Sequence, residues 1–194
     1  MSPSDGPFDP DALARCVHRL TDDPRPLSAE AVAAGLSRLQ EMFSEHLGAL
    51  ATERLQVPGS FLAYLRLAGG GQHGESVTFW TWDSMLQSTA SWTSLYADYQ
   101  PEPEWEERPA TGPWLHVASF GDKHWLFLCC DRAHPEHGHV AEGYDLVPWM
   151  DEDELDFNMG SVLDPWGDDS PDDARWTFEE LLLLLAEHAS ANAP

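Results

Sequence analysis

WLHVASFGDKHWLFLCC, residues 114–130, is the stretch that decides the fold. Trp114–Phe120 mixes aromatic, aliphatic and β-branched residues, which are typical of a β-strand. Gly121 and Asp122 indicate a turn, and Trp125–Cys130 is an unbroken apolar run of strand length. The stretch therefore predicts two strands joined by a turn, and the second strand is expected at the centre of a sheet.

Further segments on both sides extend this pair into a sheet. Ser76–Trp82 is rich in β-branched and aromatic residues, and His139–Tyr144 follows a polar loop, so each predicts a strand. Leu146–Met150 predicts one more strand after them. Because the strands after residue 112 follow one another through short connections, we expect an antiparallel sheet.

The N-terminal part of the chain has helical signals. Asp9 followed by Pro10 predicts a capped helix start, and the helix is expected to end before Pro24. A second start at Ser28 opens an amphipathic pattern, in which apolar residues recur every three or four positions. We expect one continuous helix through these positions, which are Val32, Leu36, Leu39, Phe43, Leu47 and Leu50.

Three more helices are predicted downstream. A short helix opens at Pro58 and ends at Gly69–Gly71, where glycine supplies the left-handed conformation found past helix ends. These glycines do not predict a phosphate-binding loop, because such loops precede a helix. Asp83 is expected to cap the next helix. Thr177 and Glu180 form a capping box for the last helix, which is apolar nearly all round and is expected to pack against the sheet.

The most unusual feature of the composition is its charge. The 194 residues include 34 acidic and 10 basic ones, which gives a formal net charge of −24. Such a charge repels phosphate backbones and anionic membrane surfaces, so neither nucleic-acid binding nor membrane binding is expected. It favours a cationic protein partner through electrostatic steering, although an adaptation for solubility explains the same composition.

The sequence predicts a cytoplasmic protein of one domain. Its length suits one domain of ordinary size, and no apolar run approaches the roughly 18 residues of a membrane span. Met1–Pro10 is polar and acidic and lacks the basic and apolar regions of a secretory signal. Cys16, Cys129 and Cys130 are an odd number with two adjacent, so we expect reduced thiols.

Four motifs occur along the chain in the order typical of a known family. They are a helix that carries a proline and two aromatic residues and runs into glycines, a hairpin with a Gly-Asp turn, a Gly-x-Val strand and a closing helix. In this chain they read LQVPGSFLAYL at 55–65 with LAGGG at 67–71, FGDKHWLFL at 120–128, GHV at 138–140, and WTFEELL at 176–182. Over about residues 40–188 the chain therefore resembles the SUKH superfamily.

The resemblance implies an α+β fold, with a curved antiparallel sheet flanked by N-terminal helices and a closing C-terminal helix. We expect a single SUKH-like domain over residues 1–194, with its core at about 28–190 and an acidic insert at about 151–173. Many bacterial members are immunity proteins that bind and block a toxin, often a nuclease, whereas eukaryotic relatives are regulatory interaction domains. The resemblance carries no catalytic residues and no cofactor, so it implies a non-enzymatic binding protein.

A segment with several histidines and cysteines is the competing candidate site. His134, His137 and His139 follow Cys129 and Cys130, and these residue types are good zinc ligands at short spacings. Adjacent residues of a strand point to opposite faces, however, so the two thiols are not expected to share an ion. A Cys–His nucleophile pair is disfavoured because an apolar strand predicts buried thiols. We therefore predict no metal site, and a small metal-dependent hydrolase is the less favoured alternative.

Two acidic regions that also carry tryptophan are the predicted partner-binding surface. Charges at the rim of an interface speed association, and aromatic anchors supply affinity. The alternative is a solvated acidic surface with tryptophans in the core, and the run at 168–173 lacks the alternating pattern of a calcium loop. The predicted partner is a basic protein such as a nuclease toxin, or else a regulatory protein. The predicted partner-binding residues are Glu102, Glu104, Trp105, Glu106, Glu107, Asp151, Glu152, Asp153, Glu154, Asp156, Trp166, Asp168 and Asp169.

Overall fold

A computed structural model of the chain describes residues 9–21, 23–73, 77–98, 112–120, 124–142 and 176–191. Over these ranges the fold is α+β, as predicted, and it consists of one sheet, several helices in the N-terminal half of the chain and a C-terminal helix. The helices are α1 (Pro10–Leu20), α2 (Ala29–Leu47), α3 (Ala49–Arg54), α4 (Gly59–Leu67), α5 (Trp82–Asp98) and α6 (Phe178–Ala191). The strands are β1 (Gly71–His73), β2 (Val77–Phe79), β3 (Trp114–Phe120), β4 (His124–Cys129), β5 (His139–Glu142) and β6 (Trp176–Thr177).

The six described strands form one antiparallel sheet in the order in which they occur along the chain. β3 and β4 are the central pair, as the apolar run of β4 predicts. They align from Trp114 opposite Cys129 to Phe120 opposite His124. A β-bulge interrupts β3 between residues 116 and 118. Bulges bend a strand and increase its twist, and the sheet is curved, as expected.

The predicted strands differ from the observed ones mainly at their ends. β3 has the predicted bounds, and β5 begins at the predicted residue. The strand predicted over Ser76–Trp82 is shorter, because Trp82 already belongs to α5. The strand predicted at Leu146–Met150 lies outside the described residues, and β5 pairs with β4 on one edge and with β6 on the other. β1 has no sequence signal of its own, because three residues starting with glycine show no apolar alternation.

Side-chain caps start the first two helices where the sequence predicts. Asp9 Oδ1 accepts a hydrogen bond from the Asp11 N–H at 3.0 Å, and Ser28 Oγ accepts one from the Ala31 N–H at 3.1 Å. Each bond satisfies a donor that has no partner inside its own helix. The cap of α5 differs from the prediction, because Thr81 Oγ1 accepts the Ser84 N–H at 3.3 Å and the helix therefore begins before Asp83.

The prediction of one continuous helix as far as Leu50 is wrong. Gly48 has a φ of 84°, a conformation that glycine adopts readily and other residues avoid. α2 therefore ends at Leu47, and a separate helix, α3, begins at Ala49. As a result Leu50 does not extend the buried face of α2, and it is 59% exposed.

The glycines after α4 lie between two backbone segments. The linker between α1 and α2 caps the end of α4, since the Arg25 N–H donates to the Ala68 carbonyl at 2.9 Å. A Cβ at Gly69 would collide with the Arg25 carbonyl oxygen, and a Cβ at Gly70 would collide with the Trp80 carbonyl oxygen. The glycines thus end the helix, as predicted, and also allow these backbones to approach closely.

The core is centred on four aromatic rings from three elements. Phe178, the first residue of α6, contacts Phe61 and Tyr64 of α4 at ring-centroid distances of 5.0 and 5.3 Å, and Tyr64 contacts Phe79 of β2 at 5.2 Å. The capping box that starts α6 is confirmed, with the Thr177 N–H donating to the Glu180 carboxylate at 2.8 Å. It fixes the start of α6, which puts Phe178 among these rings.

α6 packs along α1 as well as against α4, β5 and β6, so the predicted contact with the sheet is part of a larger interface. α1 also packs against α4, and its buried residues are Leu13, Cys16, Val17 and Leu20. None of the helices in the described ranges combines the length and the apolar character needed to cross a bilayer.

Candidate functional site

All the residues predicted to bind the partner lie outside the described part of the chain. They fall in the ranges 99–111 and 143–175, which also contain the predicted acidic insert. The residues concerned are Glu102, Glu104, Trp105, Glu106, Glu107, Asp151, Glu152, Asp153, Glu154, Asp156, Trp166, Asp168 and Asp169.

The described elements that lead into these two ranges run in the same direction. Trp92, in the second half of α5, packs on Trp125 of β4 with ring centroids 5.0 Å apart. The next residue of β4, Leu126, pairs with Glu142 at the end of β5. Both α5 and β5 therefore run towards the end of the sheet where β3 and β4 are connected. In the sequence, the acidic range 99–111 follows α5 and the acidic range 143–175 follows β5.

The three histidines of the candidate metal site have different surroundings. His134 Nδ1 accepts a hydrogen bond from the Glu136 N–H at 3.2 Å, and its ring lies edge-on to Trp114. His137 Nε2 lies 2.8 Å from the Gln56 carbonyl oxygen. His139 Nδ1 is buried and has no hydrogen-bond partner among the described residues. No three described His, Cys, Asp or Glu side chains come together in an arrangement that could hold a metal ion.

The loop that carries these histidines is attached to the segment before α4. The Gln56 N–H donates to the Cys130 carbonyl at 2.7 Å, and the Arg132 N–H donates to the Arg54 carbonyl at 3.0 Å. Asp131 is 4% exposed, accepts the Ala133 N–H at 2.8 Å and lies 3.7 Å from the Arg54 guanidinium. These bonds give the loop a structural role, since it holds the start of α4 against the sheet.

The adjacent cysteines are buried, as predicted. Cys129 and Cys130 are both fully buried, and the Cys130 thiol donates a weak hydrogen bond to the Leu128 carbonyl at 3.6 Å. Burial raises the pKa of the Cys130 thiol well above its ordinary value, so the thiol stays protonated at neutral pH. Nucleophilic catalysis needs an accessible thiolate, which this position does not offer.

His116 is a buried ionisable residue that the sequence did not single out. Its ring is stacked on Phe127 with centroids 4.7 Å apart, and the centroid of the Trp80 ring lies 5.4 Å from it. Ser88 Oγ of α5 is 2.6 Å from its Nδ1. Burial lowers the pKa of His116 to about 4, partly opposed by the backbone at Ala118, so the ring is neutral at neutral pH.

This serine–histidine pair fits a structural role better than a catalytic one. Catalytic pairs of this type need a third group that orients the histidine, and His116 Nε2 has no partner among the described residues. The backbone of His116 shows what the contact does instead. Pairing of β2 with β3 ends at Phe79 opposite Ala118, and the His116 N–H donates to Thr89 Oγ1 of α5 at 3.0 Å. At this point of β3, a side chain of α5 therefore supplies the hydrogen-bond acceptor that β2 no longer provides.

A surface groove follows the contact between α2 and α5. Its first part, of about 680 Å³, is bounded by the α1–α2 linker, the glycines after α4 and the start of α5. Its second part, of about 550 Å³, continues between the two helices. Arg38 and Asp83 line both parts and form an ion pair across the groove at 3.0 Å. No local sequence pattern predicts this groove, because it depends on which helices pack together.

Comparisons were made with protein-family models, with curated proteins and with solved structures. None of the three found a match to this chain. The functional conclusion therefore depends on the residues and the geometry described above.

Proposed function

We propose that the chain is a non-enzymatic binding protein of the immunity type, which neutralises a cognate, basic, nuclease-like toxin by covering it with an acidic surface. The observation that carries this proposal is the net charge of −24. Asp131 is the one buried carboxylate among the side chains that the structure describes, so the other described carboxylates are at least partly exposed to solvent. A surface of this kind attracts a cationic partner and accelerates the encounter.

The distribution of charge along the sequence supports the predicted binding surface. The ranges 99–111 and 143–175 hold 15 of the 34 acidic residues and two of the ten basic ones. Trp105 and Trp166 lie among these carboxylates, and tryptophan is one of the residues that most often dominate binding energy at interfaces. The mechanism is stoichiometric: carboxylates steer the basic surface of the toxin into place, and the aromatic side chains anchor it there.

Two other observations support a binding role over a catalytic one. The described thiols are buried, and His134 and His137 bond to backbone groups that hold a loop in place. The order of motifs resembles the SUKH superfamily, whose bacterial members include immunity proteins. As part of the same proposal the protein acts in the cytoplasm, where its reduced thiols are stable.

The proposal is tested by purifying the tagged protein from its native cells at low and at high salt, with mass spectrometry of the bound proteins. We expect one basic partner at a one-to-one ratio, and less of it at high salt. A matched variant replaces Asp151, Glu152, Asp153, Glu154, Asp168 and Asp169 with Asn or Gln, and we expect it to bind more weakly at low salt.

Other results would contradict the proposal in different ways. A set of unrelated regulatory proteins would favour an interaction domain without a toxin. The absence of any basic partner at either salt concentration would contradict the binding mechanism. Stoichiometric zinc in the purified protein, measured by elemental analysis, would favour the hydrolase alternative.

A further inference from the structure

The two parts of the groove between α2 and α5 form one continuous surface. On the α2 side the lining runs from Ala31 to Met42, which at 1.5 Å per residue spans about 16 Å, or three helical turns. Its floor is apolar, since it is formed by the nearly buried side chains of Leu39, Trp82 and Leu86. The groove therefore has the length and the floor needed to hold about three turns of an amphipathic helix.

The ion pair that crosses the groove does not close it permanently. The side chains of Arg38 and Asp83 are 58% and 88% exposed, and exposed ion pairs contribute little free energy because water screens them. An incoming cationic side chain can therefore replace Arg38 as the partner of the Asp83 carboxylate at little cost. Trp82 adds a polar feature to the floor, because its Nε1–H has no hydrogen-bond partner among the described residues.

The charges beside the groove select a cationic occupant. Glu45 lies seven residues after Arg38 on α2, so the two side chains project from the same face of the helix. Glu41 and Glu45 are both exposed, and along α2 they flank Met42, which lines the second part of the groove. The lining itself holds two ion pairs, Arg25 with Asp23 and Arg38 with Asp83, so the excess negative charge on this side of the protein comes from Glu41 and Glu45. An acidic or neutral helix would gain nothing from this arrangement, whereas a basic one would be attracted.

We propose that the groove between α2 and α5 is the docking site for a basic amphipathic helix of the protein partner. This inference rests on the proposed function, because it takes the partner to be a cationic protein. The apolar face of that helix lies on Leu39, Met42 and Leu86, and its lysine or arginine side chains reach Glu41, Glu45 and Asp83. The binding surface then includes the helical layer of the described fold in addition to the acidic ranges.

The experiment uses the full chain and a defined probe, a helical peptide of about 18 residues with leucine on one face and lysine and arginine on the other. One control peptide carries glutamate at every basic position, and a second carries the basic residues without the apolar face. Affinities are measured by calorimetry at low salt, and the site is mapped from backbone amide shifts in NMR spectra. We expect the largest shifts in α2 and α5, and the basic amphipathic peptide should bind most tightly.

A pair of neighbouring substitutions tests the groove itself. Ala34 lines the groove and is exposed, so Ala34→Trp fills the groove without disturbing the core. Ala33 is also exposed but lies on another face of α2, so Ala33→Trp adds the same bulk outside the groove. We expect Ala34→Trp to weaken binding of the basic peptide by about tenfold or more, and Ala33→Trp to change it by less than about twofold. Circular dichroism checks that both variants are folded.

The possible failures are distinguishable. If the basic peptide binds but the shifts lie outside α2 and α5, and Ala34→Trp binds as tightly as the unmodified protein, the groove inference is overturned while the proposal of a cationic partner stands. If the basic peptide does not bind, or the glutamate peptide binds equally well, both the groove inference and the cationic partner are contradicted.

Discussion

His116 lies flat against Phe127, with ring centroids 4.7 Å apart and ring planes 19° from parallel. The histidine is 1% exposed, and the groups that face its ring are Ser88 of α5, Trp80 after β2, Phe127 of β4 and the backbone at Ala118. None of these carries a charge at neutral pH. Protonation of the ring would therefore bury a positive charge with no described counter-charge beside it, which disfavours the folded state.

This relationship predicts that the free energy of unfolding decreases as the pH falls below neutral. Burial lowers the pKa of His116 from 6.5 to about 4 in the folded protein. Between these pH values the unfolded chain binds the proton and the folded chain does not. The contribution of His116 to the free energy of unfolding is therefore complete above about pH 6.5, and it is lost as the pH falls towards 4. A shift of this size corresponds to about 3 kcal/mol. Urea unfolding at a series of pH values measures it.

The variant His116→Gln separates this effect from the titration of the many carboxylates. Its stability will be lower at neutral pH, but its dependence on pH between 4 and 6.5 should be weaker than that of the unmodified protein by about the same 3 kcal/mol. Ser88→Ala keeps the histidine and should keep most of the pH dependence. If the free energy of unfolding depends equally steeply on pH in His116→Gln and in the unmodified protein, His116 does not titrate with a lowered pKa.

Thr89→Val should destabilise the protein although valine has nearly the same shape as threonine. Thr89 is fully buried, and its Oγ1 accepts the His116 N–H at the point where β2 no longer pairs with β3. Valine would leave this buried N–H without an acceptor, which costs about 1–3 kcal/mol. Ser91→Ala on the same helix is the control, because its exposed hydroxyl donates to the Gln87 carbonyl of its own helix. Chemical denaturation of both variants should give clearly different losses.

Three glycine substitutions separate steric collision from backbone strain. Gly69→Ala introduces both, since φ is 72° and the new Cβ meets the Arg25 carbonyl, so we expect a loss of about 2 kcal/mol or more. Gly48→Ala introduces only the strained φ of 84° in open space, and should cost about 1 kcal/mol. Gly59→Ala meets nothing and has no unusual φ, so it should be neutral or slightly stabilising. If thermal unfolding ranks the three losses of stability in a different order, the packing described around these glycines is contradicted.

Local signals in the sequence predicted the parts of the fold that local physics determines. Asp9, Ser28 and the Thr177–Glu180 box start helices because each supplies an acceptor to N–H groups a few residues away. β3 and β4 are predictable for a similar reason, since an apolar run of strand length has few alternatives to the centre of a sheet. The predicted cap of α5 was wrong, because Asp83 is a good cap by residue type but Thr81 is the residue whose side chain accepts the Ser84 N–H.

The groove and the contacts of His116 could not be predicted, because they depend on packing between distant segments. Ser88 and His116 are 28 residues apart, and a serine in an exposed helix pattern carries no sign of a histidine partner. The groove exists because α2 and α5 lie side by side, with Trp82 packed against the bare Cα of Gly35. A glycine within α2 weakens the helix pattern, and its role becomes clear only when the tryptophan is seen beside it.

The cysteines of β4 should react with a thiol reagent only when the protein unfolds. Cys129 and Cys130 are fully buried, and Cys16 is 6% exposed on the inner face of α1. We expect labelling with a chromogenic disulfide reagent at pH 8 to be slow in the native protein and to accelerate in parallel with unfolding as urea is added. The variant Cys16→Ser, in which only the β4 thiols remain, should show the same behaviour. Rapid labelling of that variant without urea would mean that a thiol of β4 is accessible, and would reopen the case for a nucleophilic cysteine at this end of the sheet.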